Sequence, residues 1–237
     1  MADDIDNRNS GLNATGTPQR VDRFNIETHE VMLDEAFVGS IFPKEAVRQM
    51  RFGIGFWSDV VLSMKESVHL DNHRGNDVLV KAYKEAIEGF HRHTEKKQWV
   101  RAGVCLHTIG DFYAHSNFID IYSLYAQQNG LSLEKEDIPT FSTLMDDEAF
   151  LAFAREQGEL RTGTYGLVGD IVEKVFRTKP KEGSHTLMNL DSNKSYNGGQ
   201  PLAPGTDPVT GRAYCTKHEA AVRVSYEECH ALLLQQL

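Results

Sequence analysis

Apolar side chains recur every three or four residues along several stretches of this chain, which is the pattern of helices with one buried face. In residues 78–99 the apolar positions at this spacing are Val78, Leu79, Ala82, Tyr83, Ala86, Ile87 and Phe90. Further helices are predicted within residues 30–37, 44–66, 98–128, 141–176 and 217–237. The pattern therefore predicts an all-α fold, with several helices packed into a bundle.

The stretch LHTIGDFYAHSNF, residues 106–118, lies in the predicted helix 98–128, which is apolar almost all round and is expected at the centre of the bundle. It contains His107, Asp111 and His115, which fall within about 80° of arc on one helix face and span roughly 12 Å. Polar groups on a buried helix are tolerated only when they are paired or coordinated. These three side chains, the polar stripe, predict one metal site or two neighbouring metal sites. The alternative is that the histidines are hydrogen-bonded residues of the core.

Three residues upstream are candidate partners for this stripe. His29 lies at the entrance of the helix predicted over 30–37, where a histidine is ordinarily solvated or bonded to the backbone. Asp59 lies in the apolar run FWSDVVL, and a carboxylate there needs a partner. Asp59 either caps a helix that begins near Val60 or reaches a metal. His69 directly follows a helical segment and opens a polar loop.

Residues 178–212 form the longest irregular stretch, rich in Gly, Pro, Asn, Ser and Lys. Such a stretch within a compact domain is uncommon unless it is functional. It contains His185 and Asp191, and His218 follows at the entrance of the last predicted helix. These three residues are candidates for the ligands that the central stripe lacks.

The chain has 237 residues, enough to bury a sizeable core. Residues 1–20 are polar and are predicted to form a flexible tail, which leaves residues 21–237 as a single helical domain. The start of the chain does not resemble a secretory signal peptide, and no apolar run reaches the length of a membrane span. We therefore expect a cytoplasmic protein, or one exported by a signal-independent route.

Net charge and cysteine content further restrict the expected partners and sites. A net charge of −9 disfavours nucleic-acid binding through phosphate neutralisation and tight docking on anionic lipid. Bound divalent cations would offset part of that charge. The cysteines, Cys105, Cys215 and Cys229, are odd in number and lack CxxC spacing, so they predict neither a disulfide framework nor a structural zinc site.

Residues 106–118 resemble the signature LH-x-x-x-DF-(Y/F)-AHSN(W/F) of the Het-C family, which includes fungal heterokaryon-incompatibility proteins and a class of bacterial phospholipase C. Other family motifs are matched in the same order. They are THE at 28–30, the segment from Asp59 to HLDN at 69–72 with Leu70 in place of an aromatic residue, LRTGTYG at 160–166 and GSHTLMNLDS at 183–192. The resemblance covers residues 28–192.

This family is similar to the superfamily of zinc-dependent phospholipase C and single-strand nucleases, which implies an all-helical bundle around a buried metal cluster. The implied metal ligands are His29, Asp59, His69, His107, Asp111, His115, His185 and Asp191. Asp59 is the candidate general base, Asp111 bridges two metals, and His218 is an alternative for the late ligands. The superfamily binds one zinc through an N-terminal tryptophan, whereas this chain begins at Met1. We therefore expect two or three Zn²⁺ per chain, in a reorganised cluster unless processing exposes a new terminus.

The resemblance implies a phospholipase C that cleaves phosphatidylcholine-like glycerophospholipids to diacylglycerol and a phosphorylated head group. Its partners would be the phospholipid and, transiently, a membrane surface. Two alternatives stay open: a nuclease or other phosphodiesterase on the same scaffold, and a non-enzymatic Het-C-like toxicity or interaction module in which metal only holds the bundle together. The net charge argues against the nuclease.

Overall fold

The computed structural model describes Leu33 and residues 38–39, 41–62, 65–164, 188–195, 197–207 and 211–237. The α-helices in these ranges are α1 (Lys44–Phe52), α2 (Glu66–His69), α3 (Asn76–Glu95), α4 (Trp99–His115), α5 (Phe118–Asn129), α6 (Phe141–Leu144), α7 (Glu148–Glu156) and α8 (Lys217–Leu234). A π-helix, π1 (Gly53–Val61), continues α1, and a 3-10 turn occupies Lys135–Asp137. Extended pairing among the described residues is confined to isolated bridges, so the predicted all-α fold is confirmed.

Predicted and observed elements differ mainly at their ends. The helix predicted over 78–99 is α3, the segment 44–66 contains α1 and π1, and the last helix ends at Leu234. Residues 188–195 and 197–207 form turns, bends and isolated bridges, as the irregular stretch predicted. The tail 1–20, His29, His185 and all of the predicted helix 30–37 except Leu33 lie outside the described residues. In the described part of the chain, no helix has the length and apolarity to cross a membrane.

Two helices begin at caps that the sequence supplies. The side chain of Asp147 accepts hydrogen bonds from the backbone N–H groups of Ala149 and Phe150 at the start of α7. Thr216 and Glu219 form a capping box at the start of α8. Each cap satisfies N–H groups that have no partner inside the helix and fixes where that helix begins.

The prediction of a single helix over 98–128 is wrong, because α4 ends at His115 and a second helix, α5, begins at Phe118. Asn117 uses its side chain to accept from the N–H of Arg161 at 2.8 Å and to donate to the carbonyl of Glu159 at 2.9 Å. Its own N–H donates to the carbonyl of Arg161 at 3.0 Å. Pairing with a distant segment thus replaces the continuation of the helix, which ends at His115.

Helix α4 is the centre of the bundle and packs against α1, π1, α2, α3 and α8. Every residue from Leu106 to His115 is buried, so the expectation of a helix enclosed on all sides is confirmed. On one side, Phe112 stacks on Phe141 with ring centroids 4.5 Å apart and meets the edge of Tyr83. The polar stripe of α4 is therefore surrounded by close-packed side chains.

A close approach between two helices brings π1 against α4. A side chain on Gly53 would overlap the carbonyl oxygen of Val100, and one on Gly103 would overlap the carbonyl oxygen of Met50. Only glycine permits this separation, because its lack of a Cβ lets the two backbones touch. The contact lies one turn before His107 on α4.

Asp59 lies within π1, and the interpretation of Asp59 as the cap of a helix beginning near Val60 is wrong. Helical hydrogen bonding continues past this position, with the backbone N–H of Leu62 donating to the carbonyl of Trp57 at 2.9 Å. Segments of π-helix are uncommon and are frequently found at functional sites. Here π1 directs Asp59 towards α4.

A buried carboxylate on α8 secures that helix to α4. The hydroxyl of Tyr113 donates to Oε2 of Glu228 at 3.0 Å and accepts from the N–H of Phe141 at 2.7 Å. The hydroxyl of Tyr83 lies 3.0 Å from that of Tyr113. Burial raises the pKa of both tyrosines well above the usual value, so both remain hydrogen-bond donors. The network joins α3, α4 and α8 beside the polar stripe.

The glycine contact yields a stability prediction. Gly103→Ala places a methyl group against the carbonyl of Met50 and is expected to destabilise the protein by about 1–3 kcal/mol, the usual cost of overpacking. Chemical denaturation monitored by circular dichroism measures the change. Gly39→Ala is the matched control, because nothing lies within 4 Å of the added Cβ there. Equal unfolding midpoints for the two variants would contradict the close approach.

Candidate metal centre

His107 is fully buried on α4 and is held at one ring nitrogen by the backbone of π1. Its Nδ1 lies 2.8 Å from the carbonyl oxygen of Ile54. A carbonyl can only accept, so Nδ1 donates and the orientation of the ring is fixed. A histidine that donates one N–H to a backbone carbonyl and presents its other nitrogen is the usual arrangement for a metal ligand.

The carboxylate of Asp111 meets two imidazoles. Its Oδ2 lies 2.7 Å from Nδ1 of His69 and 3.0 Å from Nε2 of His107, and these two nitrogens are 3.1 Å apart. The carboxylate can only accept, so Nδ1 of His69 carries a proton. Nε2 of His107 lies within hydrogen-bond distance of both Oδ2 of Asp111 and Nδ1 of His69, and its role as donor or acceptor depends on its tautomer. Hydrogen bonds thus join nitrogen and oxygen atoms of the kinds that also bind a metal cation.

The electrostatics of this cluster favour a positive charge, as its geometry does. Burial alone would lower the pKa of His107, but the carboxylate of Asp111, and then that of Asp59, outweigh it. The pKa of His107 is therefore raised above its ordinary value. The cluster favours a positive charge between its carboxylates, and a divalent cation supplies more of it than a proton.

Asp59 completes a group with metal-ligand spacing. Its Oδ1 lies 3.7 Å from Nε2 of His107, and Asp59, His69 and His107 offer ligand atoms that all lie within 4.8 Å of one another. Oδ2 of Asp59 and Nε2 of His69 are buried and have no hydrogen-bond partner among the described residues. A buried polar atom without a partner costs about 1–3 kcal/mol. Two such atoms beside a nitrogen and oxygen cluster fit a cation site.

At the C-terminal end of the polar stripe, His115 lies close to two carboxylates. Nε2 of His115 lies 3.0 Å from Oδ1 of Asp191 and 3.9 Å from Oδ1 of Asp111. Burial lowers the pKa of His115, but Asp191 first, and then Asp111 and Asp71, raise it to about 10. Asp111 therefore faces His69 and His107 with one oxygen and His115 with the other, so its carboxylate joins the two groups.

The backbone beside the end of α4 places Asp191 there. The N–H of Leu190 donates to the carbonyl of Ala114 at 2.8 Å, and its carbonyl accepts from Nδ1 of His218 at 2.6 Å. The amide of Asn189 also donates to Oδ2 of Asp191 at 2.5 Å. Leu190 thus links the buried His218 of α8 to the segment that carries Asp191.

Two other segments close the site at the same end of α4. The N–H of Asn72 donates to the carbonyl of Gly163 at 3.1 Å, and that of Gly163 donates to the carbonyl of His115 at 2.9 Å. The N–H of Thr162 donates to the carbonyl of His73 at 3.0 Å. The HLDN segment, the LRTG segment and the residues around Leu190 therefore meet around His115, although they are far apart in the sequence.

Of the residues that the sequence singled out, Asp59, His69, His107 and Asp111 lie in one cluster, and His115 and Asp191 lie in the adjoining group. His29 and His185 lie outside the described residues. Sequence reasoning treated Asp71 as a loop residue, yet it is 5% exposed and its charge raises the pKa of His115. Its position two residues after His69 was the available signal.

Comparison with models of protein families, with curated proteins and with solved structures finds no match.

The cluster predicts that zinc stabilises the fold through His69. Zinc should raise the melting temperature of the metal-stripped protein, since a ligand at 100 times its Kd adds about 2.7 kcal/mol. His69→Ala removes one ligand without altering α4 and should weaken zinc binding by at least about tenfold. Isothermal titration calorimetry and thermal melts measure both effects.

His93→Ala is the matched control, because the imidazole of His93 bonds the side chain of Gln98, outside the cluster, and lies in the last turn of α3. It should bind zinc as the wild type does. Equal zinc affinity for wild type and His69→Ala would contradict the assignment.

Proposed function

We propose that this protein is a metal-dependent phosphodiester hydrolase, most specifically a zinc phospholipase C. The observation that carries the proposal is the buried carboxylate of Asp111 shared between His69 and His107, with Asp59 beside them. The motifs that resemble the Het-C family supply most of these residues, and they suggest the substrate class.

The ligand atoms fit zinc. They are imidazole nitrogens and carboxylate oxygens, which zinc binds readily in catalytic sites. His69, His107, Asp111 and Asp59 would hold one ion, and His115 with Asp191 and the second oxygen of Asp111 would hold an adjoining one. Zinc bound there would supply a Lewis acid that acidifies water and polarises the phosphoryl oxygens.

Asp59 is the residue that we assign as general base. Its side chain is 29% exposed, more than that of His69 at 14%, whereas those of His107 and Asp111 are almost completely enclosed, so Asp59 is the most exposed member of the cluster. Oδ2 of Asp59 has no hydrogen-bond partner among the described residues and can accept a proton. In hydrolysis Asp59 would take one proton of the attacking water as the water oxygen bonds to phosphorus. The bond from phosphorus to the diacylglycerol oxygen would break, and that oxygen would take a proton from solvent.

The substrate we infer is a glycerophospholipid with a zwitterionic, phosphatidylcholine-like head group. A net charge of −9 is compatible with the choline-like cation of such a head group. Long polyanions are repelled by the same charge, which ranks a nuclease below a phospholipase. Products would be diacylglycerol and the phosphorylated head group.

A second candidate function follows from where the cluster lies. His69, His107 and Asp59 come from α2, α4 and π1, so an ion held by them would join three helical segments. In a non-enzymatic Het-C-like module such an ion would be structural, as in other proteins that metal stabilises. This candidate requires metal binding but no hydrolysis, which separates it from the phospholipase.

Substitution of Asp59 distinguishes the two. Asp59→Asn removes the proton acceptor and is expected to reduce kcat/KM on a monomeric short-chain phosphatidylcholine by at least about 10²-fold. The zinc content of the same samples shows whether His69, His107 and Asp111 still hold metal. Asp77→Asn, at a side chain that is 92% exposed, is the matched control and should be fully active.

Chelator-sensitive hydrolysis in the wild type, lost in Asp59→Asn, is the expected result. A zinc-loaded wild type that leaves the lipid intact would favour the structural role. Cleavage of single-stranded DNA without cleavage of lipid would instead assign the site to a nuclease.

A further inference from the structure

Four large apolar side chains are exposed within ten residues at the junction of α1 and π1. They are Phe52, Phe56, Trp57 and Val61, and between 38% and 49% of each is exposed. The ring of Phe52 stacks on that of Phe56 with centroids 5.5 Å apart and lies 5.8 Å from that of Trp57. These four residues are the aromatic patch, and its three rings lie against one another rather than scattered over the surface.

The patch and the candidate metal centre share one helix. Asp59 lies on π1 between Trp57 and Val61 in the sequence, and it is the most exposed member of the cluster. Ile54, on the same helix, holds His107 through its carbonyl. A molecule bound at the patch would therefore contact the helix that carries two of the residues at the cluster.

Two basic residues extend the aromatic patch along the same face of α1. Lys44 and Arg48 are exposed and lie eight and four residues before Phe52, so the three side chains share a helix face. Arg48 is also paired with Glu45 at 2.9 Å, which lowers the net charge of this end. Aromatic residues next to a few cations match the boundary of a lipid bilayer, where rings enter below the head groups and cations meet phosphates.

We propose that the aromatic patch docks this protein on the surface of a zwitterionic phospholipid bilayer. The inference rests on the proposed phospholipase function and extends it from single lipids to lipids in a bilayer. Phe52, Phe56 and Trp57 enter the layer between head groups and acyl chains, and Lys44 and Arg48 contact phosphates at its surface. Docking holds the protein at the lipid surface through the helix that carries Asp59.

The test uses the full zinc-loaded chain and vesicles of diether phosphatidylcholine, whose lipids keep their chains attached. Vesicle binding is measured by co-sedimentation and by the emission of Trp57, one of two tryptophans in the chain. The variant Phe52→Ser/Phe56→Ser removes the stacked pair but keeps this reporter. Leu124→Ser/Leu131→Ser is the matched control, because both leucines are 47% exposed and lie elsewhere, on α5 and just after it.

The wild type and the leucine control are expected to bind vesicles, with a blue shift in tryptophan emission. The phenylalanine variant should bind at least about tenfold more weakly, since two exposed rings no longer enter the layer. It should hydrolyse vesicle lipid poorly and monomeric short-chain phosphatidylcholine as the wild type does.

Vesicle binding that is unchanged in the phenylalanine variant would overturn the docking proposal. So would a wild type that ignores vesicles but self-associates through the patch, as sedimentation velocity would show. Failure of the proposed function has a different signature: vesicle binding that depends on the patch, with no hydrolysis of monomeric or vesicle lipid. That outcome supports docking and rejects the phospholipase.

Discussion

A carboxylate buried on the central helix is the constraint on which this structure depends. Asp111 is 3% exposed, and an uncompensated charge at such a position would cost several kcal/mol. Its two oxygens face three imidazoles, those of His69, His107 and His115. The segments that carry or hold these rings must be placed accurately, because each ring must present a specific nitrogen. Much of the surrounding fold can be understood as meeting that requirement.

Close packing between helices places the segments that carry or hold these rings. The glycine contact between α1–π1 and α4 lets the carbonyl of Ile54 reach His107. On the opposite side, Tyr113 and Glu228 fix α8, and α8 in turn carries His218 against the carbonyl of Leu190. The same helix π1 contributes Asp59 to the cluster and its exposed rings to the surface. Catalytic geometry and membrane contact would therefore share one helical element.

The sequence predicts the polar stripe well because helical periodicity is local: spacing of four residues places His107, Asp111 and His115 on one face whatever surrounds them. It does not predict the break at Ser116, because the partners of Asn117 lie more than 40 residues away. It also does not show that Asp71 is buried, since burial of a loop carboxylate depends on the segments that fold over it. Nor does it show that Asp191 and His218 meet through Leu190. The nonlocal contacts are the part that required three-dimensional structure.

We infer that Asp59, His69, His107 and Asp111 bind a metal ion. This can be tested by X-ray diffraction from crystals grown with zinc, recorded on both sides of the zinc absorption edge. We expect an anomalous peak within bonding distance of these side chains, with Nδ1 of His107 still donating to Ile54. Crystals with no peak there, and with His69 and His107 still bonded to Asp111, would contradict it.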